Sequence, residues 1–255
     1  MIARATLVVA LVATSGLASP RAQTVVVGPG TYTPIFPASP EERELPVEKF
    51  RLDVTPVTNA AYLAFVREHP EWRRDRIKKL FADNRYLAHW RGPDDLGDAN
   101  PTAPVVGVSW FAARAFCADR GGRLPVEREW ELAAKATKTS RTPSDDDMSR
   151  ETELLAWYTQ PTPSVLRSVG GEANAWGVRD MHGLVWEWIE DFSAALIAND
   201  SRSPTRDAFC GGAGASSRDA KAYATFMRIA FRSSLEARFT TSSLGFRCAY
   251  DMESR

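Results

Sequence analysis

"PVVGVSWFAARAFCADRGGRLPVEREWELAA", residues 104–134, sets two helices end to end across a glycine break. Ser109 stands just before an apolar run, where a hydroxyl accepts a backbone N–H of the first helical turn. Phe111, Ala112, Ala115, Phe116 and Cys117 recur on one helical face. Gly121 and Gly122 end that helix, because glycine alone takes the left-handed closing conformation without strain. Pro125 opens the second helix at a position whose N–H has no intrahelical partner, and Trp130 and Ala134 then fall inward.

Upstream, "VTPVTNAAYLAFVREHP" (54–70) reads as another helix, capped by Thr58 or Asn59, with Tyr62, Phe65 and Val66 on its apolar face and Pro70 at its end. "TVVVGPGTYTPI" (24–35) reads as strand, Gly-Pro-Gly turn and strand. Residues 71–104 form a polar surface excursion with a short helix expected at 73–81, and 138–152 reads as a loop. From 154 onward short apolar runs alternate with Gly, Pro, Asn and Ser turns, so strands and loops are expected there rather than long helices. Helices first and strands later, without β-α-β regularity, make an α+β fold in one domain.

The chain has 255 residues, 44% hydrophobic and 25% charged, with Lys+Arg 32 against Asp+Glu 32. Balanced charge excludes nucleic acid and anionic membrane surfaces as expected partners. The opening "MIARATLVVALVATSGLASPRAQ" carries Arg4, an apolar run from Ala5 to Ala18 and then small residues. That run is too short to span a bilayer and has the form of a secretory leader, cleaved near Ala18 or Ala22. The expected division is a signal peptide at 1–22 and one domain at 23–255, periplasmic or secreted, with no membrane insertion after cleavage. Cys117, Cys210 and Cys248 then meet an oxidising compartment, where an odd count suggests one disulfide and one spare thiol.

His69, His89 and His182 lie far apart and show no metal-ligand spacing. "DMHGLVWEWIEDF" (180–192) is richer in oxygen donors: Asp180 and Glu187 flank Gly183, whose flexibility lets the carbonyls of Gly183 and Val185 turn toward one centre. The alternative is a plain strand with Trp186 and Trp188 alternating about Glu187. No nucleophile elbow, phosphate loop or dinucleotide fingerprint is present. "FCGGAGASS" (209–217) reads as a tight turn, and Cys210 within it as a buried or reactive thiol. "DAKAYATFMRIAFRSS" (219–234) gathers Tyr223, Arg228 and Arg232 without a nucleophile or metal ligand, as a site floor, a binding surface or the packing of a strand.

"VTPVTNAAYLAF" (54–65), the 104–134 stretch, "NAWGVRDMHGLVWEW" (174–188), "GGAG" (211–214) and "RSSLEARFTTSSLGFRCA" (232–249) resemble, in order, the formylglycine-generating enzyme or sulfatase-modifying factor superfamily. The resemblance implies a compact C-type-lectin-like domain with little regular secondary structure. It implies one structural calcium site at Asp180, Gly183, Val185 and Glu187, and a disulfide between Cys117 and Cys248, which closes a long loop and contributes about 4 to 5 kcal/mol. It places Trp186, Tyr223, Arg228, Arg232, Thr240 and Ser243 along a substrate groove.

The resemblance also locates a break. Aerobic formylglycine generators use two cysteines five residues apart to bind Cu(I), and the matching positions hold Ala224 and Asp219, neither a thiolate, so copper is not expected. A second family disulfide falls on Ala134 and Ile229, where both cysteines are missing together. The implied function is an exported protein of the NirV and PvdO type, assisting or maturing a periplasmic protein or a small-molecule precursor. The alternatives are a formylglycine-generating oxidase and a lectin-like binding module without turnover.

Overall fold

The computed structural model describes residues 22–35, 44–143, 148–193 and 223–253. The apolar run Ala5–Ala18, Cys210, the 211–214 turn and Asp219 lie outside the described residues. In chain order the elements are β1 (Thr24–Val27), β2 (Gly30–Tyr32), β3 (Leu45–Val47), β4 (Phe50–Asp53), α1 (Asn59–Glu68), a 3₁₀ turn (Pro70–Trp72), α2 (Trp110–Asp119), α3 (Glu127–Lys135), α4 (Met148–Tyr158), β5 (Trp186–Glu187), α5 (Tyr223–Ser233), β6 (Leu244–Gly245) and β7 (Ala249–Asp251).

The strands either side of the Gly-Pro-Gly turn do not pair with each other. β1 lies antiparallel to β4, which also pairs with β7, whereas β2 pairs with β3. Gly28 makes the divergence possible: its φ is +84°, and a Cβ there would stand 2.9 Å from the Glu48 carbonyl oxygen. β5 and β6 form a short parallel pair, Trp186 opposite Leu244.

The helix starts follow the capping chemistry. Thr58 Oγ1 accepts the Ala61 N–H at 3.3 Å, and Ser109 Oγ accepts the Ala112 N–H at 3.2 Å. α3 begins at Glu127 rather than at Pro125, with the Glu129 carboxylate turned back to the Val126 N–H at 3.0 Å. One core packs α1 and α2 through Tyr62, Phe65 and Phe116 against Trp188 and Phe246. A second packs the β1–β4–β7 sheet and α3 through Phe50, Leu52, Trp130 and Ala133. The disulfide Cys117–Cys248 joins α2 to the residue before β7, over a separation of 131.

Four expectations change. The 71–104 segment, expected to run over the surface, puts Ala82, Tyr86, Leu87 and Trp90 into the first core. Residues 73–81 are turns, not a helix. There the Arg74 guanidinium donates to the carbonyls of Leu87 and Trp90 at 3.0 and 2.9 Å, so a tertiary anchor fixes the segment. Residues 148–158 are helical where a loop was expected to run to 152, and 223–233 are helical where strand and loop were expected. The two helices pack against each other and are joined by the Arg228–Tyr158 hydrogen bond, a tertiary contact that the local sequence does not announce.

Candidate functional site

α5 carries Ala224, Arg228 and Arg232 four residues apart, which puts all three on one face. That face is inward: the three side chains are 0%, 5% and 2% exposed. It meets Glu131 of α3, itself buried. Arg228 Nε and Nη2 donate to the two Glu131 oxygens at 3.0 and 2.7 Å, and Arg232 Nη1 donates to Oε1 at 3.2 Å. Burial opposes ionisation of Glu131, but the two guanidinium groups outweigh it and hold its carboxyl below the usual range. Arg232 also lies over the Trp130 ring, 4.2 Å from its centroid, a contact that favours a flat delocalised cation. Its Nε finds no partner among the described residues.

Both arginines are therefore buried and paired with Glu131. Arg228 Nη1 donates to the Tyr158 hydroxyl of α4 at 2.7 Å, which ties α4 to the same cluster. Above it Trp186, half-buried, packs on Phe231 (4.6 Å), Tyr158 (4.8 Å) and Trp157 (5.5 Å). Tyr223 lies off this stripe, exposed and stacked on Phe226. On the far side of Glu131 lies Glu127, one turn earlier on α3. The Tyr32 hydroxyl donates to Glu127 at 2.6 Å, and Asp191 accepts the Glu127 N–H at 2.8 Å. Burial raises the carboxyls of both Glu127 and Asp191.

Thr240 and Ser243 are also committed. The Thr240 hydroxyl donates to Asp83 at 2.5 Å and its N–H donates to the other Asp83 oxygen at 3.2 Å. Ser243 pairs with the Thr241 hydroxyl, and its carbonyl accepts the Trp186 N–H at 2.8 Å. Of the six expected groove residues, the structure joins Trp186, Arg228 and Arg232 in one packed cluster with Glu131 and Tyr158. Thr240 and Ser243 instead support the backbone beside β6.

The acids of the 180–187 loop are likewise spent on N–H donors. Asp180 accepts from Arg167 Nη2 at 2.8 Å and from the Gly170 and Gly171 N–H groups at 2.7 and 3.1 Å. Glu187 accepts from Trp130 Nε1 at 2.7 Å and from Arg247 Nε and Nη2 at 2.9 and 2.8 Å. All four carboxylate oxygens thus face protein donors, and Arg247, fully buried, supplies the cation beside Glu187. In this arrangement the Asp180 and Glu187 oxygens spend their lone pairs on N–H donors, so these two carboxylates present no open oxygen pair to the calcium ion expected there.

Among the described residues no metal-sized grouping joins the histidines to one another. His182 reaches the Ala134 carbonyl at 3.1 Å, and His69 Nε2 meets Asp119 at 2.8 Å. His69, Glu68 and Asp119 do gather at the surface within 4.8 Å, a grouping of two helix ends that no linear spacing reveals. Glu131, Tyr158 and Phe231 were not singled out from the sequence. The available signal was the four-residue repeat of Ala224, Arg228 and Arg232, read there as a cluster and not as a helical face.

The sequence matches the sulfatase-modifying factor enzyme 1-like domain over residues 11–252. A formylglycine-generating enzyme of Streptomyces coelicolor is 31% identical over 84% of this chain and 83% of its own length. A serine/threonine-protein kinase pkn1 of Chlamydia pneumoniae is 30% identical over 81% of this chain, which spans about a third of that relative's length (34%). Among solved structures, PvdO from Pseudomonas aeruginosa aligns over 91% of this chain and 95% of its own, at a TM-score of 0.49 and 17% identity. On the domain match and the Streptomyces relative, this chain belongs to the sulfatase-modifying factor family.

Proposed function

We propose that the chain is an exported sulfatase-modifying-factor-like protein without the bis-cysteine copper centre. It serves as an accessory or maturation factor for a partner outside the cytoplasm, either a periplasmic protein or a small-molecule precursor. The observation that carries this reading is the cysteine inventory. Of three cysteines, Cys117 and Cys248 are joined, which leaves Cys210 alone. Linear Cu(I) ligation by thiolates needs two sulfurs, and position 224 offers a buried methyl group instead. The disulfide also suits an oxidising compartment, in keeping with the leader-like start.

Formylglycine generation, the activity in the Streptomyces relative's name, is therefore not expected here. Capture of a carboxylate by Arg228 and Arg232 is disfavoured for a separate reason, since both are buried and already share Glu131. The direct test incubates the purified protein with Cu(I), oxygen and a Cys-x-Pro-x-Arg peptide and follows the peptide by mass spectrometry. An unchanged peptide is expected; conversion of its cysteine to the aldehyde would overturn the reading. Deleting the gene should lower the metal content or activity of a co-exported enzyme or interrupt a precursor's maturation, and normal values for both would count against the accessory role.

A further inference from the structure

α1 and α2 break the same rule at the same end. Each closes on an acid, Glu68 and Asp119, although the carbonyl end of a helix carries partial negative charge and favours a cation. The last turn of α2 holds no basic residue. The arginines next in sequence point elsewhere: Arg67 donates to the Asp94 carbonyl at 3.0 Å, and Arg120 lies over the Phe116 ring. The two helix ends converge on His69, whose Nε2 stands 2.8 Å from Asp119 Oδ1. One ligand atom from each of Glu68, His69 and Asp119 falls within 4.8 Å of the others. Acids set against the dipole at two adjoining ends are unfavourable unless a cation meets them.

The group is mounted on fixed supports. The His69 N–H donates to the Phe65 carbonyl at 2.8 Å, and its ring packs on the Phe65 ring at 4.9 Å. Phe65 in turn meets Phe116 edge-on at 5.3 Å, which joins the ends of α1 and α2. Asp119 follows Cys117 by two residues, so the disulfide pins the end of α2 beside it. At the other ring nitrogen, Glu71 Oε1 lies 3.9 Å from His69 Nδ1. A proton carried on Nδ1 therefore has a carboxylate beside it when Nε2 is given to a metal, the usual outer partner of a ligating imidazole.

An imidazole set between two carboxylates selects by chemistry. Calcium and magnesium take oxygen sets, whereas imidazole nitrogen suits zinc and its neighbours. We infer that Glu68, His69 and Asp119 form a surface site for a divalent transition-metal ion of the zinc class, bound through His69 Nε2 and one oxygen of each acid. Bonds of about 2.0 to 2.2 Å place tetrahedral ligands about 3.4 Å apart, a span that the exposed Glu68 and Asp119 side chains reach by rotation. Three protein ligands leave a fourth position for water or for a donor from another molecule. The exposed ligands exchange the ion with solution, so the site fills from the medium. It shares no residue with the Glu131 cluster and does not depend on what that cluster does.

The test uses the full mature chain, disulfide intact and Cys210 alkylated so that no thiol competes, with Zn²⁺ itself as the probe. Titration against a chromogenic zinc indicator should show one ion bound per chain, undisturbed by excess Mg²⁺. His69→Ala and Asp119→Ala should each weaken binding by about tenfold or more, and His89→Ala should leave it unchanged. The substituted side chains lie at the surface, so the circular dichroism of each variant should match that of the parent. Ring resonances of the three histidines fix the place: those of His69 should move with Zn²⁺, while those of His89 and His182 stay. No binding by the parent, equal binding by His69→Ala, or shifts at His89 or His182 in place of His69 would each overturn the inference.

Discussion

Arg228 and Glu131 meet as a two-pronged pair between α5 and α3, at 3.0 and 2.7 Å, with both side chains 6% exposed. A carboxylate so placed is shared, because Arg232 reaches it too. Removing Glu131 leaves two guanidinium groups in an interior without a counter-charge, whereas replacing all three by apolar groups leaves none. Glu131→Ala is expected to cost about 3 to 5 kcal/mol, read as a fall in the urea midpoint. The triple replacement Glu131→Leu, Arg228→Met, Arg232→Met is expected to recover most of that loss. A single variant as stable as the parent would show that the cluster does not hold α5 in place.

Acid should stabilise the protein before it destabilises it. Asp53 is buried, and that burial raises its carboxyl to about 6 from 3.8, against the hydrogen bonds it accepts from the Cys248 N–H and the Tyr250 hydroxyl. The folded state then holds its proton more tightly than the unfolded chain does. The resulting stability is fully present below the unfolded value and is lost as pH rises through about 6. Glu127 and Asp191 are raised in the same direction. Denaturant midpoints should rise from pH 7 to pH 5, and Asp53→Asn should remove about 1.3 kcal/mol of that rise, the part of the linkage that falls in this interval. A midpoint that falls steadily over this interval would contradict the assignment.

Thiol counting checks the sulfur chemistry. The denatured, unreduced chain should titrate with one thiol and the reduced chain with three, since two of the three cysteines are joined. Reduction, or Cys117→Ser with Cys248→Ser, should lower stability by about 4 to 5 kcal/mol, the upper end for so long a loop. Three thiols without reductant would remove the disulfide and reopen the question of a thiolate pair.

Chelation should have no effect on melting. Glu187 and Asp180 spend their oxygens on N–H donors, and Arg247 supplies the buried cation. EDTA and added calcium should give the same melting temperature, while Glu187→Gln should cost several kcal/mol by leaving Arg247 without its charge partner. A large drop with EDTA, restored by calcium, would show that the loop rearranges around the ion.

Much of the scaffold was legible because its signals are local. Thr58 and Ser109 announce their helices by hydroxyls at the cap, and Trp130 and Ala134 fall inward by period alone. The fate of the site residues was not legible, because it depends on partners far away in sequence. Arg228 is 97 residues from Glu131, and Thr240 is 157 from Asp83. A sequence shows that an arginine is present on a face but not whether a distant acid already holds it. Asp180 illustrates the same limit: its backbone takes a left-handed φ of 56°, and its carboxylate turns to the 170–171 backbone instead of a shared centre.

Arg247 ties together segments that are synthesised far apart. It binds the carbonyls of Asp53 and Val54, 194 and 193 residues earlier, and Cys248 and Tyr250 reach back to the Asp53 carboxylate across 195 and 197. Ordering this junction closes nearly the whole chain into a loop before any reward is collected, which makes for a slow folding step. A nascent chain stalled before Arg247 would hold α1 and α2 as local helices, yet lack the strand that joins them to the β1–β4 pair. Such a chain should remain protease-sensitive until Arg247 and β7 emerge, then gain resistance in a single step.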